Sequence, residues 1–217
     1  MLRKEIYSFY SCIKYYLLLT GLFFTTILVT ILLTNQIELH SRLNQFHSPL
    51  ADIFFTSINY LGDGIVAVLV IIISWFYNKD FARRLLVAFI ITTIIIWIMK
   101  YFLFPGLNRP LWVFEKEGLP LYLVNDVSVN RLRTFPSGHS TTAFMVSTAL
   151  ALVSKKTIIQ LLFAVAAICI AYSRVYLSQH FLEDIFAGGM IGTLTTLVIF
   201  IPSIHLFSLR FPVNKQT

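Results

Sequence analysis

Long apolar stretches separated by short polar connections dominate the chain. A helix that crosses a bilayer needs about 20 mostly apolar residues, and six stretches approach that length. They cover residues 15–34, 65–77 with a start as early as residue 60, 85–104, 138–153, 157–172 and 185–207. The pattern therefore predicts an all-α protein, built as a bundle of six transmembrane helices.

The basic residues indicate which way the bundle faces. More than half of the 17 basic residues fall on one side when the amino terminus is placed in the cytoplasm. The positive-inside rule then favours six spans with both termini cytoplasmic. The residues on the predicted inner side are Arg3, Lys4, Lys14, Lys79, Arg83, Arg84, Lys155, Lys156, Arg210 and Lys215.

Composition supports a membrane protein and excludes several other classes. Hydrophobic residues make up 57% of the chain and charged residues only 12%, whereas an average soluble domain is roughly 25% charged. The net charge is +7, but the basic residues form no block or stripe, so no nucleic-acid partner is expected. Cys12 and Cys169 lie in or beside apolar stretches and indicate neither a disulfide framework nor a zinc site.

No linker or internal repeat divides the chain, so residues 1–217 are predicted to form a single membrane-embedded domain. Two outer connections are long, at residues 35–59 and 105–135. Connections longer than about 12 to 15 residues are usually functional or disordered. The loop at 105–135 carries aromatic residues between its charges, and we expect it to form an interfacial cap that selects the substrate.

Three groups of polar residues stand where predicted spans meet the outer side. The groups are distant in sequence, yet the topology inferred from charge bias brings all of them to one face of the membrane. They are Lys100, Asn108, Arg109 and Pro110; Pro136, Ser137, Gly138 and His139; and Ser173, Arg174, His180 and Asp184. Ionisable residues at membrane depth are costly and tend to be functional, so we predict a site there.

Several of these residues offer donors that suit phosphate oxygens. Lys100 is a point charge, and Arg109 and Arg174 carry planar guanidinium groups that bind phosphate in a bidentate manner. Proline is favourable in a first helical turn, so Pro136 predicts a helix start whose amides, at residues 137–139, point outward and bind an anion. The sequence therefore predicts a phosphate pocket.

A histidine and a carboxylate four residues apart complete the chemistry. If the sixth helix begins near Ser178, His180 and Asp184 share one face and the carboxylate can orient the imidazole. A histidine with one nitrogen held in this way presents the other as a nucleophile or base. His139 is then free to act as a general acid, which predicts cleavage of a phosphomonoester through a phosphohistidine and a bell-shaped pH profile.

Two of these motifs resemble those of a known family. The pattern Ser173-Arg174, His180 and Asp184, at that spacing, is similar to the third signature motif of the type 2 phosphatidic-acid phosphatase superfamily, the integral-membrane lipid phosphate phosphatases. The tetrapeptide at residues 136–139 resembles the second. The resemblance spans about residues 100–192, and the signature motifs fall within residues 100–184.

The resemblance implies a role for each matching residue. His180 resembles the nucleophile, Asp184 its orienting carboxylate, and His139 the acid that protonates the leaving oxygen. Members of the family need no metal, so neither a metal nor another cofactor is expected. The implied phosphate binders are Lys100, Arg109, Ser137, Gly138 and Arg174.

The first family motif departs from its usual spacing. The family places six residues between its lysine and its Arg-Pro pair, whereas eight separate Lys100 from Arg109. Pro105 and Gly106 could absorb two extra residues in a turn. The longer spacing affects the match of Lys100 to the family lysine, whereas Arg109 keeps the Arg-Pro pair of the motif with Pro110.

Other functions of the same residues stay open at this stage. In a lipid phosphotransferase, the phosphohistidine would be discharged to an acceptor other than water. A membrane transporter would use the charges as a pathway, although a pathway should place polar groups nearer the midplane than these are. A soluble haloperoxidase, a distant relative of the family, is opposed by the six spans.

The substrate and the assembly are less determined. Phosphatidic acid, phosphatidylglycerol phosphate, undecaprenyl diphosphate and a lipid A phosphate all present a terminal phosphate on a hydrophobic anchor. The compact chain favours a bacterial inner membrane, with the site on its outer face in contact with the lipid bilayer. Gly188 and Gly192 form a small-xxx-small pattern that predicts close helix packing, either within the chain or between two copies.

Overall fold

The computed structural model describes the backbone of residues 2–154 and 156–201, and the side chains of that range from Ile13 onward. Every regular element in this part of the chain is a helix, which confirms the all-α class. The α-helices are α1 (Leu2–Leu33), α2 (Gln36–Leu43), α3 (Pro49–Asn59), α4 (Gly64–Tyr77), α5 (Lys79–Ile98), α6 (Pro110–Glu117), α7 (Gly138–Val153), α8 (Thr157–Tyr176) and α9 (Leu182–Phe200).

Four helical segments in the described residues are long and apolar enough to cross a membrane, and a fifth exists if α3 and α4 form one bent span. The four correspond to the predicted stretches at 15–34, 85–104, 157–172 and 185–207. The predicted span at 138–153 is α7, which has 16 residues and a length of only about 24 Å, less than the roughly 30 Å of a hydrocarbon core. The count of six spans therefore stays a prediction.

The cytoplasmic placement of both termini also stays a prediction. Part of the charge bias behind it comes from Arg3, Lys4, Lys155, Arg210 and Lys215, whose side chains lie outside the described residues. The last predicted stretch, which ends at residue 207, likewise extends past the described range.

The predicted outer connection at residues 35–59 contains two helices. Asn35 accepts hydrogen bonds from the first amides of α2, and Ser48 does the same for α3, where Pro49 takes the first helical position. Short polar caps of this kind satisfy amides that would otherwise lack partners. α3 meets α4 at a bend of 55°, through a 3-10 turn at Tyr60–Gly62.

The centre of the bundle is α7, which packs chiefly against α9 and α8. The close approach of α7 and α9 depends on two glycines of α9. A Cβ atom on Gly188 would collide with the carbonyl oxygen of Ser137, and one on Gly192 would collide with that of Thr141. The small-residue pattern of α9 therefore serves packing within the chain.

The amino-terminal helix joins the bundle through a polar contact and an aromatic contact. The hydroxyl of Tyr16 lies 2.9 Å from the hydroxyls of Ser147 and Thr148 on α7. Further along α1, the rings of Phe24 and Phe144 have centroids 4.9 Å apart. Buried hydroxyls need hydrogen-bond partners in an apolar interior. The contact with α7 therefore satisfies the Tyr16 hydroxyl and also fixes the position of α1.

Four helix ends meet at one end of the bundle. They are the carboxyl ends of α5 and α8 and the amino ends of α7 and α9. The amide of Ser137, just before α7, donates to Asp184 O in α9, and two further backbone bonds lie within the loop that carries α6. α5 continues into a π-helical turn at Met99–Leu103, closed by a bond of 2.8 Å from Phe104 N to Met99 O. Such wide turns often occur at functional sites.

Candidate active site

His180 and Asp184 are in contact, although the local structure differs from the prediction. α9 begins at Leu182 and not near Ser178, so His180 precedes the helix. Ser178 adopts a left-handed conformation with φ of 52°, and the carboxylate reaches back past the start of α9. Asp184 Oδ2 lies 3.2 Å from His180 Nδ1 and accepts a bond of 2.8 Å from the Phe181 amide.

A threonine that the sequence analysis missed completes this contact. The hydroxyl of Thr134 lies 3.2 Å from His180 Nδ1 and donates to Asp184 Oδ2. With a proton on Nδ1, the imidazole donates to the carboxylate and its Nε2 carries a lone pair. Among the described residues, no hydrogen bond occupies Nε2, so that nitrogen is available for chemistry.

The surroundings of His180 disfavour a positive charge on its imidazole. Its side chain is only 2% exposed, and this burial lowers its pKa well below the usual 6.5. Neighbouring positive charges lower the pKa further, because they repel an imidazolium. The cations that act on it in this way are Arg109, Arg174 and Lys100.

Arg174 is buried at the end of α8 and is only partly satisfied. Its Nη1 donates to the side-chain oxygen of Asn59, at the carboxyl end of α3. Its Nε is buried and has no hydrogen-bond partner among the described residues. A buried charged donor without an acceptor is costly, and an anion bound beside His180 would supply that acceptor.

Arg109 is fixed by the chain around His180. Its Nη1 lies 3.1 Å from the carbonyl oxygen of Gln179 and 2.9 Å from the side-chain oxygen of the same residue. Its Nε donates to Leu132 O at 3.1 Å. Because Gln179 directly precedes His180, these bonds position the guanidinium group of Arg109 relative to the imidazole of His180.

Lys100 lies in the π-helical turn and reaches the same end of the bundle. Its Nζ donates to the carbonyl oxygens of Arg133, at 2.9 Å, and Thr134, at 3.4 Å. Lys100 and Arg109 line one open cavity of about 640 Å³. Lys100 and Arg109 are therefore close in space although eight residues separate them in sequence. The wide turn at Met99–Leu103 and the turn that follows it accommodate those residues.

The start of α7 differs in detail from the prediction. Pro136 lies before the helix and not in its first turn, because Ser137 is the N-cap and Gly138 the first helical residue. The Ser137 amide donates to Asp184 O at 3.0 Å, and its hydroxyl accepts from the Ser140 amide. Helix geometry leaves the amides of Gly138 and His139 without intrahelical acceptors, so these two remain available to an anion.

His139 packs against the bend between α3 and α4. A Cβ atom on Gly62 would stand 3.0 Å from the Cβ of His139 and 2.7 Å from Cγ2 of Ile170. Only glycine allows the turn to approach so closely. The connection at residues 35–59 and the turn that follows it thus contribute directly to the site, through the contact of Asn59 with Arg174 and through Gly62.

The structure therefore gathers the predicted residues at one end of the bundle, and their roles stay predictions. Three positioning side chains, Thr134, Gln179 and Asn59, were not predicted from the sequence. The first two adjoin the motifs and could have been suspected on that ground, whereas nothing in the sequence marks Asn59. No group of three or more His, Cys, Asp or Glu side chains in the described residues could hold a metal ion.

Comparison with known proteins gives the class. The profile of the PAP2 superfamily matches residues 81–203, which is more than half of the chain. The chain belongs to this superfamily. No protein with a curated description matches it in sequence.

Two solved structures share the fold. LpxE of Aquifex aeolicus is 29% identical and superposes with a TM-score of 0.67, over 76% of this chain and 94% of that one. The first transmembrane PAP2 type phosphatidylglycerolphosphate phosphatase from Bacillus subtilis is 20% identical, with a TM-score of 0.62 over 95% of this chain and 100% of that one. The described helices thus form the fold of PAP2-type membrane phosphatases.

Proposed function

We propose that the protein is an integral-membrane lipid phosphatase, which hydrolyses a terminal phosphate from a lipid without a metal. The observation that carries the proposal is the buried contact of His180 Nδ1 with Asp184 and Thr134, each at 3.2 Å. This contact fixes the proton on Nδ1 and leaves Nε2 as a nucleophile. Membership of the PAP2 superfamily supports the same reaction.

In the first step, His180 Nε2 attacks the phosphorus atom of the substrate. An N–P bond forms while the bond from phosphorus to the lipid oxygen breaks, and His139 gives its proton to that leaving oxygen. Lys100, Arg109 and Arg174 stabilise the negative charge on the transferring group. The Arg174 Nε that lacks a partner would then donate to a phosphate oxygen.

In the second step, water cleaves the phosphohistidine. His139 now accepts a proton from the attacking water, the N–P bond breaks, and inorganic phosphate leaves. The amides of Gly138 and His139 supply further donors to the phosphate oxygens. In a phosphotransferase an alcohol would take the place of this water, so the acceptor decides between the two activities.

The membrane positions the substrate for this reaction. The site lies at one end of the bundle, where the phosphate can reach the cations while the acyl or prenyl chains stay in the bilayer. The positive-inside rule favours the outer face of a cytoplasmic membrane for that end. We propose a bacterial inner membrane as the location, in keeping with the compact chain.

The candidate substrates are phosphatidic acid, phosphatidylglycerol phosphate, undecaprenyl diphosphate and a lipid A phosphate. Release of inorganic phosphate from each, by protein purified in detergent with excess chelator, tests the proposal. The parent should release phosphate from at least one lipid, and His180→Ala should release none. The unfolding temperature of His180→Ala should equal that of the parent, which shows that the variant is folded. A strict need for added divalent metal, or an equally active His180→Ala variant, would overturn the mechanism.

The role of His139 can be separated from that of His180 by the leaving group. A nitrophenolate leaves without protonation, whereas an alkoxide does not. Because His139 also acts as the base in the second step, the comparison uses the first turnover, in which the leaving group departs. In that turnover, His139→Ala should lose far less activity on nitrophenyl phosphate than on a lipid phosphate, whereas His180→Ala should be inactive on both substrates. Equal first-turnover losses on the two substrates in His139→Ala would exclude its role as the general acid.

A membrane transporter is the alternative from another class, and the same variants discriminate it. In a transporter, His180→Ala should leave lipid or ion movement largely intact, and the parent should release no phosphate. Retention of phosphate on the protein, or its transfer to an added alcohol, would instead indicate a phosphotransferase.

A further inference from the structure

A second group of cations lies beside the proposed phosphate site. The cavity of about 640 Å³ that Lys100 and Arg109 line is also lined by Arg131 and Arg133. None of its lining residues is acidic. A phosphate monoester carries a charge of about −1.5 to −2 at neutral pH, so Lys100, Arg109 and the nearby Arg174 already match one phosphate. Arg131 and Arg133 therefore supply more positive charge than one phosphate requires.

Arg133 is held in place without an acidic partner. Its guanidinium carbon lies 4.4 Å from the centre of the Tyr101 ring, and its backbone oxygen accepts a bond of 2.9 Å from Lys100 Nζ. No described carboxylate lies within ion-pair distance of it. Its φ of 54° lies in the left-handed region, where a non-glycine residue costs energy and is typical of functional sites. Its guanidinium donors thus remain available to an anion.

The acidic partner of Arg131 binds it only weakly. Its Nη2 lies 2.7 Å from Glu115 Oε1, but the two side chains are 59% and 47% exposed. Exposed ion pairs contribute little, because water solvates both groups well. A phosphate, which carries more charge and accepts bidentate bonds from arginine, can therefore displace the carboxylate.

The segment that carries both arginines is tied to the phosphate site through its backbone. The amide of Arg109 donates to Arg131 O at 2.9 Å, and the amide of Thr134 donates to Leu107 O at 2.8 Å. Thr134 also contacts His180. These bonds hold the backbone that carries the two arginines in place beside the reacting centre.

We propose that Arg131 and Arg133 bind a second phosphate of the substrate, next to the phosphate that is cleaved. The inference rests on the proposed function for the roles of Lys100 and Arg109, and it narrows the substrate class. The preferred lipids are those whose terminal phosphate has a second phosphate close by. Both a lipid diphosphate and a headgroup with a phosphomonoester and a phosphodiester joined through glycerol meet this condition. Phosphatidic acid does not.

Matched substrate pairs test the proposal. Farnesyl diphosphate and farnesyl phosphate differ by one phosphate on the same anchor, and phosphatidylglycerol phosphate and phosphatidic acid form a second pair. In a neutral detergent, the parent should have a higher kcat/KM for the member with two phosphates. The preference for two phosphates is the kcat/KM of that member divided by the kcat/KM of its partner with one phosphate. Arg131→Gln and Arg133→Gln should each lower this ratio about tenfold, as expected for the loss of a charge-assisted hydrogen bond.

The control is another exposed arginine with a glutamate partner. Arg42 Nη2 lies 2.6 Å from Glu38 Oε1, and its side chain is 69% exposed. Arg42 does not line the cavity, so Arg42→Gln removes the same charge elsewhere and should leave the preference for two phosphates unchanged. If the arginine variants lower the ratio for only one substrate pair, that pair shows whether the second phosphate belongs to a diphosphate or to a phosphodiester. A ratio that neither arginine variant changes, or that Arg42→Gln lowers equally, would overturn the proposal.

A binding measurement separates this inference from the proposed function. Pyrophosphate should raise the unfolding temperature of the purified parent more than inorganic phosphate does at equal concentration, and Arg133→Gln should remove the difference. This preference in a protein that releases no phosphate would support the second site and count against the phosphatase. Phosphate release without this preference would support the phosphatase and overturn the second site. Unfolding temperatures without ligand show whether each variant is folded.

Discussion

Arg109 Nη1 lies 3.1 Å from the carbonyl oxygen of Gln179 and 2.9 Å from its side-chain oxygen. Arg109 follows the end of α5, whereas Gln179 lies between α8 and α9, directly before His180. The side-chain amide of Gln179 also donates to Ser128 O at 2.7 Å. One buried glutamine therefore joins the loop over the site, a proposed phosphate-binding cation and the proposed nucleophile.

Replacement of Gln179 should misplace Arg109. In Gln179→Leu, Arg109 loses the side-chain acceptor. We expect kcat/KM for a lipid phosphate to fall roughly ten- to a hundredfold, since a hydrogen bond to a charged group contributes about 1.5–3 kcal/mol. Most of the change should appear in KM if Arg109 binds the phosphate before the reaction.

Steady-state kinetics of Gln179→Leu and Gln179→Glu check this prediction. The glutamate keeps an oxygen for Arg109 and should recover part of the loss. Gln45→Ala, at an exposed glutamine, provides the control. An equal loss in Gln179→Leu and Gln179→Glu would point to a purely structural role for the residue.

Thr134 should matter through its hydroxyl and not through its size. Thr134→Val keeps the shape of the side chain but removes the donor to Asp184. A buried carboxylate that loses a donor costs about 1–3 kcal/mol, so kcat should fall roughly tenfold or more. Thr134→Ser, which keeps the hydroxyl, should stay near the parent. Similar rates for the serine and valine variants would contradict the proposed support of the His180 and Asp184 pair.

The buried His40 should make the protein less stable in acid. Burial, and to a smaller extent the nearby His47, lower the pKa of His40 from 6.5 to about 4. Between these values the unfolded chain binds a proton that the folded protein does not. The free energy of unfolding is therefore greatest above pH 6.5 and falls as the pH drops towards 4, by at most ~3 kcal/mol from this group.

Unfolding temperatures from pH 7 to pH 4 measure the effect of His40. His40 Nε2 lies 3.2 Å from the Ser178 hydroxyl, and His40→Gln keeps a group that can make this bond but does not titrate. The variant should lose less stability than the parent over this range. His180 titrates in both proteins, so the difference between them isolates His40, and parallel curves would show that His40 is not the source.

The glycines of α9 should be required for stability. Gly192→Ala places a methyl group against the backbone of Thr141, and overpacking of this kind typically costs about 1–3 kcal/mol. Gly21, on α1, has no atom near its Cβ position, and Gly21→Ala should leave the protein as stable or slightly more stable. Thermal unfolding in detergent compares the two variants, and equal stabilities would mean that α9 can shift away from α7 at little cost.

Much of this protein could be predicted from local patterns. The length of the apolar stretches predicts the helices, because a chain in lipid must satisfy its backbone hydrogen bonds within each segment. The spacing of His180 and Asp184 predicted their contact, even though the helix starts later than expected, since a carboxylate in the first turn reaches back to the residues before it.

The bend between α3 and α4 could not be predicted in the same way. The sequence analysis treated residues 35–59 as an outer connection, because no long apolar run marks them. Their helices depend on caps at Asn35 and Ser48 and on contacts with α8, which are distant in sequence. Asn59 reaches Arg174 only because the chain turns back at this point.

The sequence by itself therefore determined the helical class and the family and predicted the residues that we propose do the chemistry, since these depend on composition and short spacing. Tertiary structure alone decided which side chains hold them in place: Thr134, Gln179 and Asn59 act across long separations in sequence. It also decided that Lys100 and Arg109 share one cavity with Arg131 and Arg133. Such proximity results from packing and loop bonds between separate elements, and no local pattern records it.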